Sequence, residues 1–312
     1  MIEATTSQSQ RMPGGPARGA NLRGILWMVA AMAGFALEDA LIKRATLELP
    51  LGQVLVIFGL GGALVFAAMV RRQGSALFLP EARSRPMLAR ALFEVVGRLF
   101  YFLAVALTPL SAATVILQTT PVLVVLGAAL YFGERVGWRR WCAVIAGLVG
   151  VVVVLRPAAS DFSALSMLTV IGMIGFAGRD LASRAAPPSL GTHHLGFYGF
   201  LTIVVAGVLC AAWDGRAFVQ PGPPAAACLA GAVAFGTFAY GSLMKAMRTG
   251  DIATVTPFRY TRLLFGIGLG VALFGERIDA SMGLGCTIIL FAGLLIAWHG
   301  RQAAVPARSR PG

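Results

Sequence analysis

The chain has 312 residues, of which 57% are hydrophobic and only 12% charged, with a formal net charge of +13. Soluble chains carry about twice that charged fraction, and helices that are apolar all round leave a soluble α-protein no polar shell to face water. The positive excess is spread over tails and alternate loops rather than gathered in one patch, which argues against a nucleic-acid partner.

Residues 1–22 are polar and rich in Gly, Pro and Arg. Nothing there can pack, so they read as a disordered tail. A cleaved signal peptide is not expected, because the first hydrophobic run is too long and no small-residue cleavage site follows it. Ten apolar runs come next, each near the roughly 20 residues that cross a bilayer core about 30 Å thick. Run 1, residues 24–41, carries Glu38 and Asp39 a turn from its end, with Lys43 just beyond. Run 2, residues 53–70, holds Gly59, Gly61 and Gly62, which permit close helix approach. Run 3, residues 87–107, places Glu94, Arg98 and Tyr101 at helical spacing, so that Glu94 and Arg98 can meet as an i,i+4 pair.

Run 4, residues 113–131, has a polar patch, Gln118, Thr119 and Thr120, ahead of Pro121. Run 5 spans 138–155 and run 6 spans 164–182, the latter ending in Arg179 and Asp180 with Arg184 beyond. Run 7, residues 194–213, opens with His193 and His194; exposed loop histidines are expected there rather than a proton relay. Run 8 spans 225–247. Run 9, residues 252–274, has Thr256 ahead of Pro257, then Arg259, Tyr260 and Arg262, then Gly266, Gly268 and Gly270. A proline frees a helix carbonyl, and such a break inside a membrane suits a cavity wall or a Ser/Thr repair; a simple kink is the plainer alternative. Run 10 spans 282–298, and residues 300–312 form a second tail. Cys142, Cys210, Cys228 and Cys286 each stand alone in apolar runs, without metal or redox spacing, and read as small buried hydrophobes. Tryptophans 27, 138, 141, 213 and 298 fall near run ends, as an interfacial belt requires.

Most Lys and Arg outside the runs lie in the N-terminal tail, the loops after runs 2, 4, 6 and 8, and the C-terminal tail. By the positive-inside rule both termini are cytoplasmic, and the chain is a multi-pass protein of the inner (plasma) membrane.

The chain also repeats itself. GFALEDALIKRA, residues 34–45, returns as GFAGRDLASRAA, residues 175–186; FGER occurs at 132–135 and 274–277, and ATV at 113–115 and 253–255. The halves align along their length with five runs each. Five is odd, so the second copy enters the membrane from the opposite face. That is an inverted repeat, an arrangement of secondary transporters with the substrate site near the midplane. The expected organisation is a tail 1–22, a five-helix repeat 23–157, a second 158–299 and a tail 300–312. The repeated charges, Glu38, Asp39 and Lys43 against Arg179, Asp180 and Arg184, then lie one set at each mouth, where they are candidates for gating or coupling. Snorkelling at helix ends is the plainer reading for Lys43, Arg44, Arg135 and Arg277; for Asp39 and Asp180 both readings stand.

A charge at the bilayer centre costs roughly 2.5–3.5 kcal/mol on insertion scales and usually faces a cavity or a partner. Two accounts follow. In one, Glu94 and Arg98 neutralise each other, and Glu94 or an acid of run 1 offsets Arg259 and Arg262. In the other, these groups line a cavity, and Arg259 and Arg262 grip a carboxylate, phosphate or polar ring of the substrate as a fork. Gln118 aligns with Tyr260 and Thr120 with Arg262, facing each other across the pseudo-twofold axis. The candidate substrate-binding residues are therefore Glu94, Arg98, Tyr101, Gln118, Thr120, Arg259, Tyr260 and Arg262. As proton carrier Glu94 comes first and Asp39 second, since a carrier needs a carboxylate in the cavity.

The blocks AVALTPLSAATVILQTTPVLVVLGAALYFGER, residues 104–135, and ATVTPFRYTRLLFGIGLGVALFGER, residues 253–277, resemble the drug/metabolite transporter superfamily in its EamA-domain branch, over nearly the whole chain from about 23 to 299. The glutamates closing runs 4 and 9, Glu134 and Glu276, are that branch's regular mark. The resemblance implies a ten-helix inverted repeat around a central cavity. It also implies secondary transport of a small organic molecule: an amino acid, riboflavin, S-adenosylmethionine, a sugar or an exported compound. Many members have an arginine early in helix 2, where this chain reads QVLVIFGLGG.

The expectation is an all-α polytopic protein with no cofactor, no metal site and no catalytic residues. It carries a small metabolite by alternating access, driven either by a coupling proton or by the solute gradient. An exporter of the same fold is the alternative; a passive facilitator or a membrane-embedded enzyme ranks behind, since no HExxH, intramembrane histidine cluster or Ser–His pairing is present,. GxxxxGK[ST] is absent as well, so direct ATP drive is not expected.

Overall fold

The computed structural model describes residues 18–132, 137–155, 164–183, 187, 190–249 and 255–303. Among them all regular structure is helical. In chain order the helices are α1 (Arg18–Ala45), α2 (Leu51–Arg72), α3 (Arg85–Leu107), α4 (Leu110–Leu117), α5 (Thr120–Phe132), α6 (Trp138–Leu155), α7 (Ser166–Ser183), α8 (Thr192–Asp214), α9 (Pro223–Thr249), α10 (Thr261–Phe274) and α11 (Ala280–Ala303). Short 3₁₀ turns lie at Pro80–Arg83 and Thr256–Tyr260. α4 and α5 make one broken span, and Thr256–Tyr260 with α10 makes another, so the ten expected spans are present. α1 starts at Arg18 and α11 runs to Ala303, so both enter segments expected as tails.

The length of each helix follows from where the apolar stretches stop. Pro50 and Pro109 stand directly before α2 and α4, and each lacks the N–H that a preceding helix would need. α8 and α10 end on Gly215 and Gly275, whose φ values of 65° and 63° are the left-handed C-terminal stop that glycine adopts without cost. Among the described residues five helices are long and apolar enough to cross a membrane: Gly19–Ala45, Leu51–Arg72, Leu110–Tyr131, Thr192–Asp214 and Pro223–Met247. The other spans are shorter, broken or charged; α3 alone contains Arg90, Glu94 and Arg98. Large apolar side chains face outward on every side, among them Leu64, Leu130, Leu264 and Phe291, a surface suited to lipid rather than water.

The helices pair as the repeat requires. α1 packs on α9, α3 on α7, α2 on α8, α4 on α10 and α6 on α11. Exchanging the two halves turns the first pair into the second and leaves each of the other three unchanged. That is the signature of a twofold axis relating two five-span copies. Small residues make the crossings close. At the α3–α7 crossing a Cβ on Gly175 would stand 2.5 Å from the backbone nitrogen of Gly97, so neither position can carry a side chain. Gly59, Gly61, Gly62, Gly266 and Gly270 likewise abut neighbouring helices, while Gly268 faces open space. An aromatic core of Phe58, Phe66, Phe102 and Phe200 fills the space between α2, α3 and α8.

Two loops are clamped in a symmetric way. Gln53, at the start of α2, donates its amide to the Val219 carbonyl at 2.6 Å and accepts from the Val219 N–H at 3.0 Å. His194, at the start of α8, lies 2.9 Å from the Ala76 carbonyl, and the Tyr198 hydroxyl donates to Leu77 and accepts from the Leu79 N–H. Each clamp joins the first turn of one repeat's second span to a loop of the other half. His194 is thus buried, contrary to the expectation of an exposed loop histidine, because it ties the basic loop of residues 73–84 to the bundle. Gln53 opens α2, and its short amide satisfies both polar groups of the Val219 backbone unit without importing charge. Cys142 departs from its expected burial: it is exposed on α6, and the other three cysteines are half-buried and free.

Candidate functional site

The intramembrane charges collect in two linked clusters between α1, α3, α7 and α10. In the first, the Arg262 guanidinium meets the Asp39 carboxylate at 2.5 Å, the Tyr101 hydroxyl donates to the same oxygen at 2.8 Å, and Arg98 faces Glu38 at 3.8 Å. Glu38 and Asp39 are 2% and 1% exposed, so neither has water to neutralise it. In the second, Glu94 stands between Arg90 at 3.0 Å and Arg179 at 3.6 Å, and Arg179 also grips Asp180 at 2.8 Å. Aromatic faces complete the cage. Arg98 lies 5.8 Å and 5.6 Å from the ring centres of Phe102 and Phe176, Arg179 lies 5.0 Å from Phe176, and Arg262 lies 5.2 Å from Phe35. Ring faces attract cations that have lost their water.

This differs from the pairing drawn from spacing. Glu94 and Arg98 do not form the expected i,i+4 pair; Glu94 turns one turn back to Arg90 and across to Arg179, and Arg98 goes to Glu38 on α1. Arg90 is a further member of the cluster that is not among the sequence candidates, because it lies near the start of run 3, close to the basic loop. It is 6% exposed, inside α3, and also bonds the Ser183 hydroxyl at 3.1 Å. Its spacing of four from Glu94 was the available signal. The Arg259–Arg262 fork is also divided. Arg262 is held by Asp39, the run 1 acid that one of the two accounts required. Arg259 is half-buried with no acidic partner among the described residues, and its carbonyl accepts from the Gln118 amide at 3.0 Å.

That Gln118–Arg259 contact joins the two broken spans at their breaks. Both breaks are repaired in the same way: the Thr120 hydroxyl donates to the Leu117 carbonyl and the Thr261 hydroxyl to the Phe258 carbonyl at 2.7 Å. Thr120 therefore serves its own helix before any ligand. Tyr260 is 6% exposed, turns toward Gly293 of α11, and has no partner for its hydroxyl among the described residues.

Lys43 lies apart from the clusters. Its ammonium donates to the carbonyls of Val105 and Thr108 at 3.0 Å and 2.5 Å, at the free C-terminal end of α3, where a cation is favoured. Beside it, Glu276 accepts from the N–H groups of Leu110 and Ser111 at 2.6 Å and 2.9 Å and from the Ser111 hydroxyl at 2.5 Å. Glu276 thus caps the start of α4 with a carboxylate from the other repeat. Arg184 and Glu134, the partners of Lys43 and Glu276 in the repeat, lie outside the described residues.

The family described as "EamA-like transporter family" matches the chain twice, over residues 22–156 and 163–298. The chain belongs to that family. This EamA-like protein is 25% identical over 286 residues to a protein named "Riboflavin transporter" from Vibrio cholerae, covering 90% of this chain and 95% of that one. It is 25% identical over 280 residues to an "S-adenosylmethionine uptake transporter" of Rickettsia bellii, with the same coverage. A "Pseudopaline exporter CntI" of Pseudomonas aeruginosa is 25% identical over 279 residues, covering 88% of this chain and 95% of that one. A solved crystal structure superposes with a TM-score of 0.58 at 18% identity, over 92% of this chain and 99% of that one, a likeness of fold alone. Glu276, in the second copy of the repeated FGER, closes the N-terminus of the symmetry-related span.

Proposed function

We propose that this EamA-like protein is a secondary carrier that moves a small organic metabolite across the bacterial inner membrane by alternating access, with both termini cytoplasmic. Its solute sits between the two charge clusters and the broken spans. The observation that carries the reading is the charge inventory of the bundle. Arg90, Arg98, Arg179 and Arg262 each face a carboxylate, Glu38, Asp39, Glu94 or Asp180, whereas Arg259 faces none among the described residues. Burying this many ions adds little to stability in itself. An unpaired cation at a helix break is a place for a substrate carboxylate or phosphate. The relatives' names support both directions of transport, riboflavin and S-adenosylmethionine carriers on one side and a pseudopaline exporter on the other, and a carrier runs whichever way its gradients point. They also support a carrier rather than an enzyme. The Lys43 and Glu276 contacts, which tie the ends of α1, α3, α4 and α10 together, serve as the closed gate on the side away from the termini.

The test is counterflow in proteoliposomes loaded with riboflavin, S-adenosylmethionine or a panel of carboxylated metabolites. Saturable uptake stimulated by solute inside, and lost in Arg259→Ala, is the expected result. Flux that rises linearly with concentration would identify a pore, and counterflow unaffected by Arg259→Ala would remove the anion anchor.

A further inference from the structure

Five carboxylates lie in the interior or at its edge, and four of them are well matched. Asp39 has Arg262 and the Tyr101 hydroxyl; Glu94 has two arginines; Asp180 has a bidentate Arg179, whose Nε and Nη2 bond it at 3.0 Å and 2.8 Å; Glu276 has three donors at a helix start. Glu38 differs. Its one cation partner among the described residues, Arg98, is 3.8 Å away, beyond hydrogen-bond distance. Its second oxygen lies against Gly236 of α9, where a Cβ would stand 3.0 Å from it and 3.1 Å from the Phe58 ring. The charged groups acting on it are Arg98 from α3, Arg262 from α10 and Asp39 on its own helix. Tyr101 of α3 is already engaged by Asp39, Tyr240 of α9 feels Arg90, Glu94 and Arg179 ahead of Arg98, and α2 brings the Phe58 ring beside Gly236. Arg262 is committed to Asp39, so of the two adjacent buried carboxylates Glu38 is the one whose ionised form is held less closely,.

We propose that Glu38, rather than Glu94 or Asp39, is the group that binds the coupling proton, and that protonation hands Arg98 to the anionic group of the solute. A proton from water converts the Glu38 carboxylate to the acid. Arg98 then loses the one carboxylate it faces among the described residues. Its guanidinium already lies near two aromatic rings with an Nε that has no partner, so it retains donors for an incoming anion. Deprotonation returns Arg98 to Glu38 and expels the anion. Proton and anion therefore bind together, each raising the affinity for the other by the same factor. Glu94 is excluded because removing its charge leaves Arg90 and Arg179 facing each other.

The handing-over rests on the transport reading, but protonation at Glu38 does not, so the two fail separately. The test is difference infrared spectroscopy of the purified full-length protein, without solute, as pH is lowered stepwise. The expected result is a buried carboxylic-acid C=O band that is lost in Glu38→Gln, shifted but present in Glu38→Asp, and retained in Glu94→Gln and Asp39→Asn. A band that survives Glu38→Gln, or disappears in Glu94→Gln or Asp39→Asn, would overturn the assignment. So would a wild-type titration that superposes on that of a folded Glu38→Gln. The Glu38→Asp variant keeps the question decidable if Glu38→Gln is poorly folded.

Discussion

The guanidinium of Arg262 closes on the carboxylate of Asp39 at 2.5 Å, joining the second repeat to the first at the heart of the bundle. Removing either member leaves the other buried and uncompensated, which costs about 3–5 kcal/mol. Asp39→Asn and Arg262→Gln should each lower the unfolding midpoint sharply, while the double variant loses less than the sum of the two. A thermal-unfolding double-mutant cycle measures this coupling; additive losses would show that the pair does not couple the halves. Arg262→Ala is expected to insert in the membrane yet lose transport.

Glu94→Gln separates a structural clamp from a proton carrier. With Arg90 and Arg179 left face to face, the variant should unfold more readily in detergent while the pH dependence of uptake persists. An unaltered unfolding midpoint with abolished pH dependence would restore Glu94 as the carrier.

Close approach of α3 and α7 depends on Gly97 and Gly175. Gly175→Ala places a methyl 2.5 Å from backbone that cannot move aside as a side chain can. The crossing must open, at about 1–3 kcal/mol for an overpacked contact. Gly268→Ala, in open space, should be silent in the same thermal-shift measurement. Equal effects at the two sites would refute the crossing geometry.

Glu276→Ala removes the acceptor for three donors at the start of α4. Loss of a helix cap costs about 0.5–2 kcal/mol, and here the cap also ties the repeats together. Hydrogen exchange at Leu110 and Ser111 should quicken well before the core loosens. Protection unchanged at those two amides would mean that water replaces the carboxylate without loss.

Gln53→Ala and His194→Ala act on opposite ends. Each hydrogen bond contributes about 1 kcal/mol, so the two bonds of Gln53 correspond to roughly thirtyfold in local opening. Limited proteolysis should accelerate near Val219 in the first variant and near residues 76–79 in the second, each without affecting the other loop.

Much of this was legible in the sequence, for identifiable reasons. Run length and composition are local properties, so ten spans could be counted, and FGER with the GFA motif showed the repeat. Pro121 and Pro257 marked both breaks, because a missing N–H is felt within one turn. Pairing was less legible. Spacing offered Glu94 to Arg98, yet the side chain turned to Arg90 and Arg179, since a helix face is wide enough for both directions and the neighbour on α7 decides between them.

The amino-acid pattern alone settled that the chain is helical, lipid-facing and doubled, because hydrophobicity and periodicity are summed along the chain and do not depend on distant contacts. Which ions meet was decided only by the packed bundle. Asp39 and Arg262 are far apart in sequence, and in an interior without water a charge takes whichever partner the helix crossings bring within reach. Among the described residues, the same crossings leave Arg259 without an acid and Glu38 with one distant cation.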